Sequence, residues 1–521
     1  MSKKFYVVMI LAAFLAVDGA VAPVFGQRGG VVKREAIPMP TVNTDSVMKH
    51  IVELSSETYE GRMAGSAGFD RAADYVGRVM EQYGAKLQKS ASFAVECNEV
   101  ENCKFNVRRM PLGGGQSSSA GGAATAEGDR RVFTLGNEFC CAGVTGRGYV
   151  DAQMVFCGYG VDDGSFNEYR DVDVKGKVVV VLTAVPNWLP TTVTDRYRTL
   201  RDKARTAERH GAIGMLAINV STSCLPDEAQ ARVWCGELPH LATFPILHLT
   251  LDCGREIFDG EKKPLDYCID QLGSNHKIQS FSLLKKCEID VNARYRQAAP
   301  TGNVVALLEG SDKSLAKEYI VVGACLDGQG IQGETCLFPG ADINASGVAT
   351  LLETARVLSS KDIRPKRSVL FVFFSGGEQQ FLGSRVFVQT YPQMRRVEAF
   401  VGVQNVGYGD SVVVLGNAVY PALCDIPISR DTVAGRRNVV RGGEPTTLRG
   451  DARAFDALGI PSMVVTTHDG MHYTRVTGDM WENIDRRILG ITAQLVAETV
   501  AELGEGLYMG RSLQSKGERR K

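Results

Sequence analysis

The sequence has no excess of charge of either sign, because 59 Lys and Arg residues balance 59 Asp and Glu residues among its 521 positions. A chain without net charge has no bulk electrostatic attraction to nucleic acid or to an anionic membrane, so we expect no nucleic-acid partner. The sequence also lacks a G-x-S-x-G elbow, a phosphate-binding P-loop and an H-E-x-x-H metal motif. The sequence therefore carries no motif for these three kinds of active or binding site.

Long apolar runs are absent except near the N-terminus. There, two lysines precede the apolar run 5–17, and Val24 and Gly26 have the small-residue spacing of a cleavage site. We predict a signal peptide over residues 1–26 and a secreted or periplasmic mature chain that does not span a membrane. The run is short for a membrane span, and an uncleaved anchor is the alternative. Since no cysteine precedes Cys97, a lipid-anchored start is not expected.

Cysteine, in contrast, is plentiful. Thirteen cysteines in an exported chain indicate disulfide bonds, and the odd number leaves at least one thiol unpaired. The alternative is that several of them are buried free thiols, because connectivity cannot be deduced from spacing. Three close pairs are candidates by spacing alone: Cys97 with Cys103, Cys224 with Cys235, and Cys325 with Cys336.

The first region of the mature chain, residues 27–130, begins with two helical patterns on either side of a glycine-rich turn. Thr44 or Asp45 is the expected cap of the first helix, and Ser66 or the glycines open the second. The region ends in a low-complexity segment, 111–131, which lacks the apolar residues needed to pack and is expected to be a surface loop.

The rest of the chain shows two different patterns of apolar and polar residues. In residues 131–276 short β-like runs alternate with helical segments, which indicates a compact insert of α/β or β-rich type. In residues 277–510 apolar strands alternate with amphipathic helices, a pattern typical of a largely parallel sheet covered on both faces. We predict that 27–130 and 277–510 form one discontinuous α/β domain around the insert, followed by a polar tail, 511–521.

Acidic residues follow several of the predicted strands. Asp327, Asp342 and Glu378 each lie in a loop at a strand end, and a later loop holds His468 and His472. Because α/β proteins bind ligands beyond the carboxyl ends of their strands, these residues form a candidate metal or acid–base site. Each also has a structural interpretation on its own; Asp342, for example, precedes a predicted helix, where an acid is favourable.

Several stretches in order along the chain carry a family resemblance: GRMAGSAG, GADINASG, SGGEQQFLGS, GDARAFDALGIPSMVV and YTRVTGD. They resemble metallopeptidase family 28, the co-catalytic zinc aminopeptidases and glutamate carboxypeptidases, whose relatives include the transferrin receptor ectodomain. The stretches VFCGYGV, KGKVVVVL and KARTAERHGAIGMLAINV resemble the protease-associated domain often inserted in this family. The resemblance implies a zinc-exopeptidase-like, three-layer αβα domain with a mostly parallel central sheet, plus a smaller β-rich α/β insert.

The resemblance also implies where an active site would lie. Family members hold two zinc ions with five side chains, while a sixth residue, a glutamate, activates the bridging water. The family's first ligand, bridging carboxylate, general base and three further ligands correspond here, in that order, to Cys325, Ile343, Gly377, Glu378, Gln404 and Thr474.

Only Glu378 keeps the family residue. Ile343 has no donor atom, Gly377 cannot accept a proton, and Gln404 is a neutral and poor zinc ligand. We therefore expect no catalytic residue, no zinc and no other cofactor, since the bridge and the base are both missing. The thiol of Cys325 is able to bind zinc.

The changes share a physical logic. Replacing three converging acids with Ile, Gly and Gln removes a like-charge repulsion that two zinc ions would otherwise compensate. The predicted function is that of an exported pseudopeptidase that binds a peptide or protein without hydrolysing it. The partner's identity and the oligomeric state are left open.

Two enzymatic alternatives remain. The first is an active zinc aminopeptidase with an atypical or displaced site, in which Asp327, Asp342 and His468 line the cleft and His472 takes the place of Thr474. The second is a hydrolase that uses Cys325 as its nucleophile, which requires a low thiol pKa and access. We also hypothesise a disulfide between Cys325 and Cys336, which would fix the loop that a bound metal holds in the family.

Overall fold

The computed structural model describes residues 39–110, 130–185, 188–220, 239–442, 448, 450–470, 472 and 476–508. Within these residues the α-helices are α1 Thr44–Leu54, α2 Ala67–Gln82, α3 Thr191–Arg196, α4 Leu200–Arg209, α5 Leu251–Phe258, α6 Leu265–Gly273, α7 Gly347–Leu358, α8 Leu382–Thr390, α9 Pro421–Val433, α10 Ala452–Asp456 and α11 Arg486–Gly504.

The strands of the same residues are β1 Lys86–Leu87, β2 Ser92–Arg109, β3 Arg130–Val132, β4 Phe139–Cys141, β5 Gly148–Phe156, β6 Asp162–Asp163, β7 Phe166–Asn167, β8 Val178–Leu182, β9 Gly214–Ile218, β10 Ile246–Leu249, β11 Phe281–Gly302, β12 Val304–Leu308, β13 Tyr319–Cys325, β14 Ile331–Gln332, β15 Cys336–Leu337, β16 Ser368–Phe374, β17 Val397–Val403, β18 Val412–Leu415, β19 Val439–Arg441 and β20 Ser462–Thr467.

One sheet has the strand order β1-β12-β16-β13-β17-β20-β18-β19. Its four central strands, β16, β13, β17 and β20, are parallel, whereas β1, β12 and β18 join it by antiparallel pairing. Every residue of β13 and β16 is buried, as expected for a sheet covered on both faces. The predicted α/β class with a mostly parallel centre is confirmed.

Helices cover both faces of this sheet. One apolar core joins it to α1, α2, α7 and α11, through residues such as Ile51, Val76, Leu352 and Val496. A second core on other strand residues includes Phe387 of α8 and Phe455 of α10. Because successive strand side chains point to opposite faces, the two cores lie on the two sides of the sheet and form the predicted αβα layers.

The second large sheet has the order β15-β14-β2-β11-β5-β8-β9-β10-β4, with β3 paired to β2. Its longest strands, β2 and β11, have 18 and 22 residues and pair antiparallel along most of their length. Neither strand was predicted from the sequence, although Leu283, Cys287, Ile289 and Val291 are apolar residues at period-two spacing and are buried in β11. Both strands lie outside 131–276, whose limits as an insert stay a prediction.

Several local expectations can be compared with the structure. Asn43, not Thr44 or Asp45, caps α1, because its Oδ1 accepts a hydrogen bond from the backbone N–H of Asp45 at 2.9 Å. Ser66 caps α2 as predicted. In the described ranges no helix is both long and apolar enough to cross a membrane. The predicted signal peptide, almost all of the low-complexity segment and the polar tail lie outside the described residues.

None of the cysteines in the described residues forms a disulfide bond in the structure, and all of them are buried. The pair Cys224 and Cys235 lies outside the described residues. The spacing-based pairs Cys97–Cys103 and Cys325–Cys336 are therefore not bonded in the structure. The hypothesis of a Cys325–Cys336 disulfide is wrong for this structure, because Cys325 directs its sulfur to a carboxylate, as described next.

Candidate functional site

The parallel strands bring the predicted positions to one edge of the sheet. Cys325 is the last residue of β13, Gly377 and Glu378 follow β16, and Gln404 follows β17, which are neighbouring strands. Ile343 lies in the irregular helical segment Ala341–Ser346 that leads into α7. The site is thus placed where the alternation of strands and helices predicted it. Thr474 lies outside the described residues.

The place of the family's general base has no room for a side chain. A Cβ atom added to Gly377 would lie 2.5 Å from Cys325 Sγ and 3.2 Å from Asp327 Oδ1. Carbon and sulfur do not approach to 2.5 Å without a shift of one of them. The thiol of Cys325 therefore fills the space that a side chain at position 377 needs, and the two changes fit each other sterically.

Cys325 is held by Asp451, an aspartate that was not among the residues predicted from the sequence. Its Sγ lies 3.2 Å from Oδ2 of Asp451, and Gln404 Nε2 lies 3.4 Å from the same oxygen. Asp451 is 1% exposed, and its other oxygen, Oδ1, has no hydrogen-bond partner among the described residues. Asp451 directly precedes α10 in the stretch GDARAFD, so an acid before a helix in a recognised block was the available signal.

Burial determines the protonation of Cys325 and Asp451. Desolvation raises the pKa of the Cys325 thiol well above its usual value, and the neighbouring Asp451 carboxylate raises it further. Burial likewise raises the pKa of Asp451. Cys325 is accordingly a neutral thiol at physiological pH, and only 4% of it is exposed.

Asp327 holds the loop that follows β16. It is fully buried, and its carboxylate accepts hydrogen bonds from the backbone N–H groups of Gly377 at 2.9 Å and Glu378 at 3.2 Å. Burial and then the charge of Glu378 raise the pKa of Asp327 to about 7. Because its oxygens face the backbone, Asp327 positions the loop and does not line a cleft.

Asp342 and Asp479 fix the segment that carries Ile343. Asp479 accepts hydrogen bonds from the N–H groups of Asp342 at 2.7 Å and Ile343 at 3.0 Å. Asp342 turns its own carboxylate to the N–H of Gly407 at 2.7 Å and the hydroxyl of Ser346 at 3.0 Å. Burial raises the pKa of Asp342 to about 8 and that of Asp479 to about 6. Asp342 is 1% exposed, so it too has a structural role.

A buried arginine, Arg62, links the backbone segments next to Asp327 and Asp342. It is fully buried, and its guanidinium donates to the carbonyl oxygens of Leu326 at 3.1 Å, Pro339 at 2.8 Å and Gly340 at 2.8 Å, and to that of Leu54. Burial lowers the pKa of Arg62 to about 10, while the nearby acids Asp479 and Asp327 oppose this shift. Arg62 was not predicted from the sequence, because it lies 264 residues from one of its acceptors.

The loop after β16 is also connected to the other sheet. The amide of Gln379 donates from Nε2 to the carbonyl of Glu96 in β2 at 2.6 Å and accepts from the N–H of Glu96 at 3.2 Å. The side chain of Glu96 pairs with Arg201 of α4 at 2.9 Å, and this ion pair is buried. A buried polar connection therefore runs from Glu378's neighbour to the region of the predicted insert.

The residues present do not fit a pair of zinc ions. Ile343 has no donor atom at the bridging position, and Gly377 offers neither a side chain nor space for one. In the part of the chain that the structure describes, no group of three or more His, Cys, Asp or Glu residues is arranged to hold a metal ion. Glu378, which is 8% exposed, keeps its family position without a matching set of donors around it.

The two histidines proposed for a displaced site lie in an exposed loop. The side chain of His468 is 60% exposed, and its Nδ1 lies 3.5 Å from carboxylate oxygens of both Asp410 and Asp469. His472 is exposed and stacks on Tyr408 with 5.0 Å between ring centroids. These surface contacts account for both imidazoles without a metal.

A cavity of about 930 Å³ adjoins the group around Asp451. It lies between α8 and α10, and its lining includes Ser384 of α8 and Gly450, which directly precedes Asp451. Its walls combine apolar and cationic side chains: Gln380, Phe381, Ser384, Arg385, Val388, Gln389, Leu448, Gly450, Arg453, Ala454, Ala457 and Leu458.

Comparison with known families agrees with this architecture. Residues 303–500 match peptidase family M28, and residues 149–257 match the PA domain. Both matches fall within the corresponding regions predicted from the sequence.

Similar proteins match over short stretches. Transferrin receptor protein 2 of Homo sapiens is 33% identical over 121 residues, which are 22% of this chain and 14% of the receptor. A probable zinc metalloprotease of Pyrenophora teres f. teres is 38% identical over 93 residues, 17% of this chain and 18% of that protein. The matched stretches thus span only a small part of these relatives.

Solved structures extend the likeness to most of the chain. BSAP, a zinc aminopeptidase from Bacillus subtilis, superimposes with a TM-score of 0.61 at 17% identity, covering 90% of this chain and 97% of that one. An M28 peptidase precursor from Shewanella amazonensis gives a TM-score of 0.60 at 15% identity, covering 90% and 99%. At such identities the likeness establishes the fold.

Proposed function

We propose that this chain, whose residues 303–500 belong to peptidase family M28 and whose residues 149–257 form a PA domain, is an exported binding protein that does not hydrolyse peptides. The observation that carries the proposal is the contact between positions 325 and 377. The sulfur of Cys325 occupies the space of the missing base, with a notional Gly377 Cβ only 2.5 Å away.

Loss of the base alone has a large expected effect on turnover. A positioned general base contributes about 10²- to 10⁴-fold to a reaction rate. Here Gly377 supplies no proton acceptor, and Ile343 supplies no oxygen with which to bridge two metal ions. The absence of both functions supports a binding role over a slow enzyme.

The neutral character of the site supports the same proposal. A thiol at 325, an alkyl group at 343 and an amide at 404 replace groups that would carry charge or bind a cation. The buried acids nearby have raised pKa values, about 7 for Asp327 and about 8 for Asp342, so they carry reduced negative charge near neutral pH. The region therefore does not require metal ions to balance its charge.

The cavity beside Asp451 suggests the class of ligand. Arg385 and Arg453 are exposed on its wall, while Phe381 and Leu448 provide apolar surface. Guanidinium groups favour carboxylates, so we propose a peptide that presents a negatively charged group beside an apolar side chain. The volume of about 930 Å³ is sufficient for a few residues of such a peptide.

The alternative of an active aminopeptidase draws on the family relationship and on Glu378. It receives less support, since His468 and His472 are exposed and paired at the surface. A cysteine nucleophile is also disfavoured, because Cys325 is 4% exposed and its pKa is raised.

Turnover and binding can be tested on one sample. The purified mature chain should not hydrolyse a panel of aminoacyl anilides, with or without added zinc. In calorimetric titrations, peptides with acidic ends should bind and their amidated, uncharged counterparts should bind less tightly. Arg453→Gln should weaken binding by about tenfold, whereas the exposed Arg395→Gln, outside the cavity, should not. Anilide turnover abolished by chelators would contradict the proposal, as would equal binding by both variants.

A further inference from the structure

Two neighbouring residues in the wall of the cavity beside Asp451 have a left-handed backbone conformation. Gln380 has a φ of 59° and Phe381 a φ of 55°, and both line the cavity of about 930 Å³. A Cβ atom makes this conformation unfavourable, and asparagine or aspartate tolerates it better than glutamine does. Glycine adopts it without steric cost. The chain therefore keeps a glutamine side chain at a cavity position where glycine would be less strained.

The turn that contains Gln380 is held by backbone hydrogen bonds. The N–H of Phe381 donates to the carbonyl of Gly377 at 3.1 Å, and the N–H of Leu382 donates to the carbonyl of Gly376 at 3.0 Å. These bonds involve backbone groups alone, so glycine at position 380 would preserve them. A strained conformation persists where the surrounding structure imposes it. The side chain of Gln380 is thus not what forms the turn.

The side chain of Gln380 also makes no hydrogen bond that would offset the strain. It is exposed, and its carboxamide has no hydrogen-bond partner among the residues that the structure describes. The preceding residue differs, because Gln379 bonds to the backbone of Glu96 through both ends of its amide. Gln379 therefore has a structural role in this loop, whereas the fold gives Gln380 none. A strained, exposed side chain at the wall of a cavity is a candidate for ligand contact.

We propose that Gln380 contacts the ligand of this cavity and that its carboxamide recognises a peptide group. This inference rests on the proposed peptide-binding function. Arg385 and Arg453 provide positive charge and Phe381 provides apolar surface, but any apolar anion matches those two features. A carboxamide both donates and accepts hydrogen bonds, which suits the C=O and N–H of a peptide bond. Gln380 then distinguishes a peptide from other apolar anions.

Calorimetric titrations of the mature chain with two probes test this assignment. N-acetyl-leucyl-glutamate has an apolar side chain, negative charge and peptide groups, whereas sodium octanoate has an apolar chain and a negative charge only. Gln380→Ala keeps the Cβ atom and removes the carboxamide. It should weaken binding of the peptide by about two- to tenfold, the effect of one hydrogen bond, and should not weaken binding of octanoate. Gln297→Ala, at an exposed glutamine outside the cavity, should alter neither.

Gln380→Gly adds a readout that separates strain from binding. It should lose as much peptide affinity as Gln380→Ala, yet raise the urea midpoint of unfolding above that of the wild type, because glycine relieves the left-handed conformation. The matched control is Arg437→Gly, at an exposed residue with a φ of 55° outside the cavity. This variant should also raise the midpoint but should leave peptide binding unchanged.

The possible failures are distinguishable. Wild-type affinity for the peptide in both Gln380 variants overturns the assignment and leaves the proposed function standing, whereas a wild-type chain that binds neither probe overturns both. Equal weakening of peptide and octanoate by Gln380→Ala contradicts recognition of a peptide group. A midpoint of Gln380→Gly that is not above that of the wild type shows that the glutamine is not strained, which removes the ground for the assignment.

Discussion

Two sets of residues at the same sheet edge have opposite characters. The frame, which we define as Arg62, Asp327, Asp342 and Asp479, consists of ionisable side chains that are buried and hydrogen-bonded to backbone groups. The ligand positions, by which we mean the family ligand positions now held by Cys325, Ile343 and Gln404 together with the general-base position Gly377, carry no formal charge. Glu378, which keeps the family residue, is not counted among them. The loops of the frame are intact while the ligand positions are unsuited to metal. Backbone architecture and metal chemistry are thus supported by different side chains, and one set can change while the other is kept.

The frame should be the more sensitive of the two sets, and Arg62 the most sensitive residue. Arg62→Met leaves four backbone carbonyl oxygens, three of them buried, without their donor and removes the cation near Asp479 and Asp327. We expect the free energy of unfolding to fall by about 3–5 kcal/mol, measured by urea denaturation. Arg71→Met, at a side chain 41% exposed, is the control and should change little. Equal losses in both variants would contradict a special role for the frame.

The raised pKa values of the aspartates in the frame predict a pH dependence. Asp342 has a pKa of about 8 in the fold against 3.8 for an unperturbed aspartate, so the folded state binds more protons than the unfolded state between these values. The contribution of Asp342 to stability is therefore greatest at low pH within this window and is lost as pH rises through about 8. Between about pH 6 and pH 8 the fall should be on the order of 2 kcal/mol.

Asp342→Asn tests the assignment of that slope. The variant cannot ionise at this position, so its unfolding free energy should change less between about pH 6 and pH 8 than that of the wild type. Glu482→Gln, at an exposed acid, should leave the slope as it is. A stability that rises with pH across this window would show that Asp342 is ionised in the fold.

The ligand positions should show a coupling that the frame does not. Gly377→Ala places a Cβ 2.5 Å from Cys325 Sγ and should cost about 1–3 kcal/mol. In the Cys325→Ala background the sulfur is gone, and the same substitution should cost less by at least about 0.5 kcal/mol. Urea denaturation of the four chains gives the coupling energy. Gly302→Ala, whose Cβ would have its nearest contact at 3.7 Å, is the control. Additive losses would disprove the steric match.

The two sets also differ in how far their residues could be predicted from the sequence. The alternation of apolar strands and helices predicted a site at the carboxyl ends of the strands with Asp327, Asp342 and Glu378, because parallel strands end at a common edge. The family resemblance, not the pattern, assigned Cys325, Gly377 and Gln404 to that site. Arg62 and Asp451 were missed, since their contacts join residues 264 and 126 positions apart and leave no local pattern. The inward direction of Asp342 was likewise hidden, because an acid before a helix has the same sequence signature whether it faces solvent or Gly407.

Zinc stoichiometry of the wild-type chain tests the central claim most directly. The mature protein, equilibrated with excess zinc and then freed of unbound metal, is examined by elemental analysis and native mass spectrometry, with a zinc aminopeptidase of the same fold as the positive control. Because the frame is kept while the ligand positions no longer offer a set of zinc donors, we expect no stoichiometric zinc in this chain and two ions in the control. Two zinc ions bound per chain, with chelator-sensitive hydrolysis of aminoacyl anilides, would contradict the account.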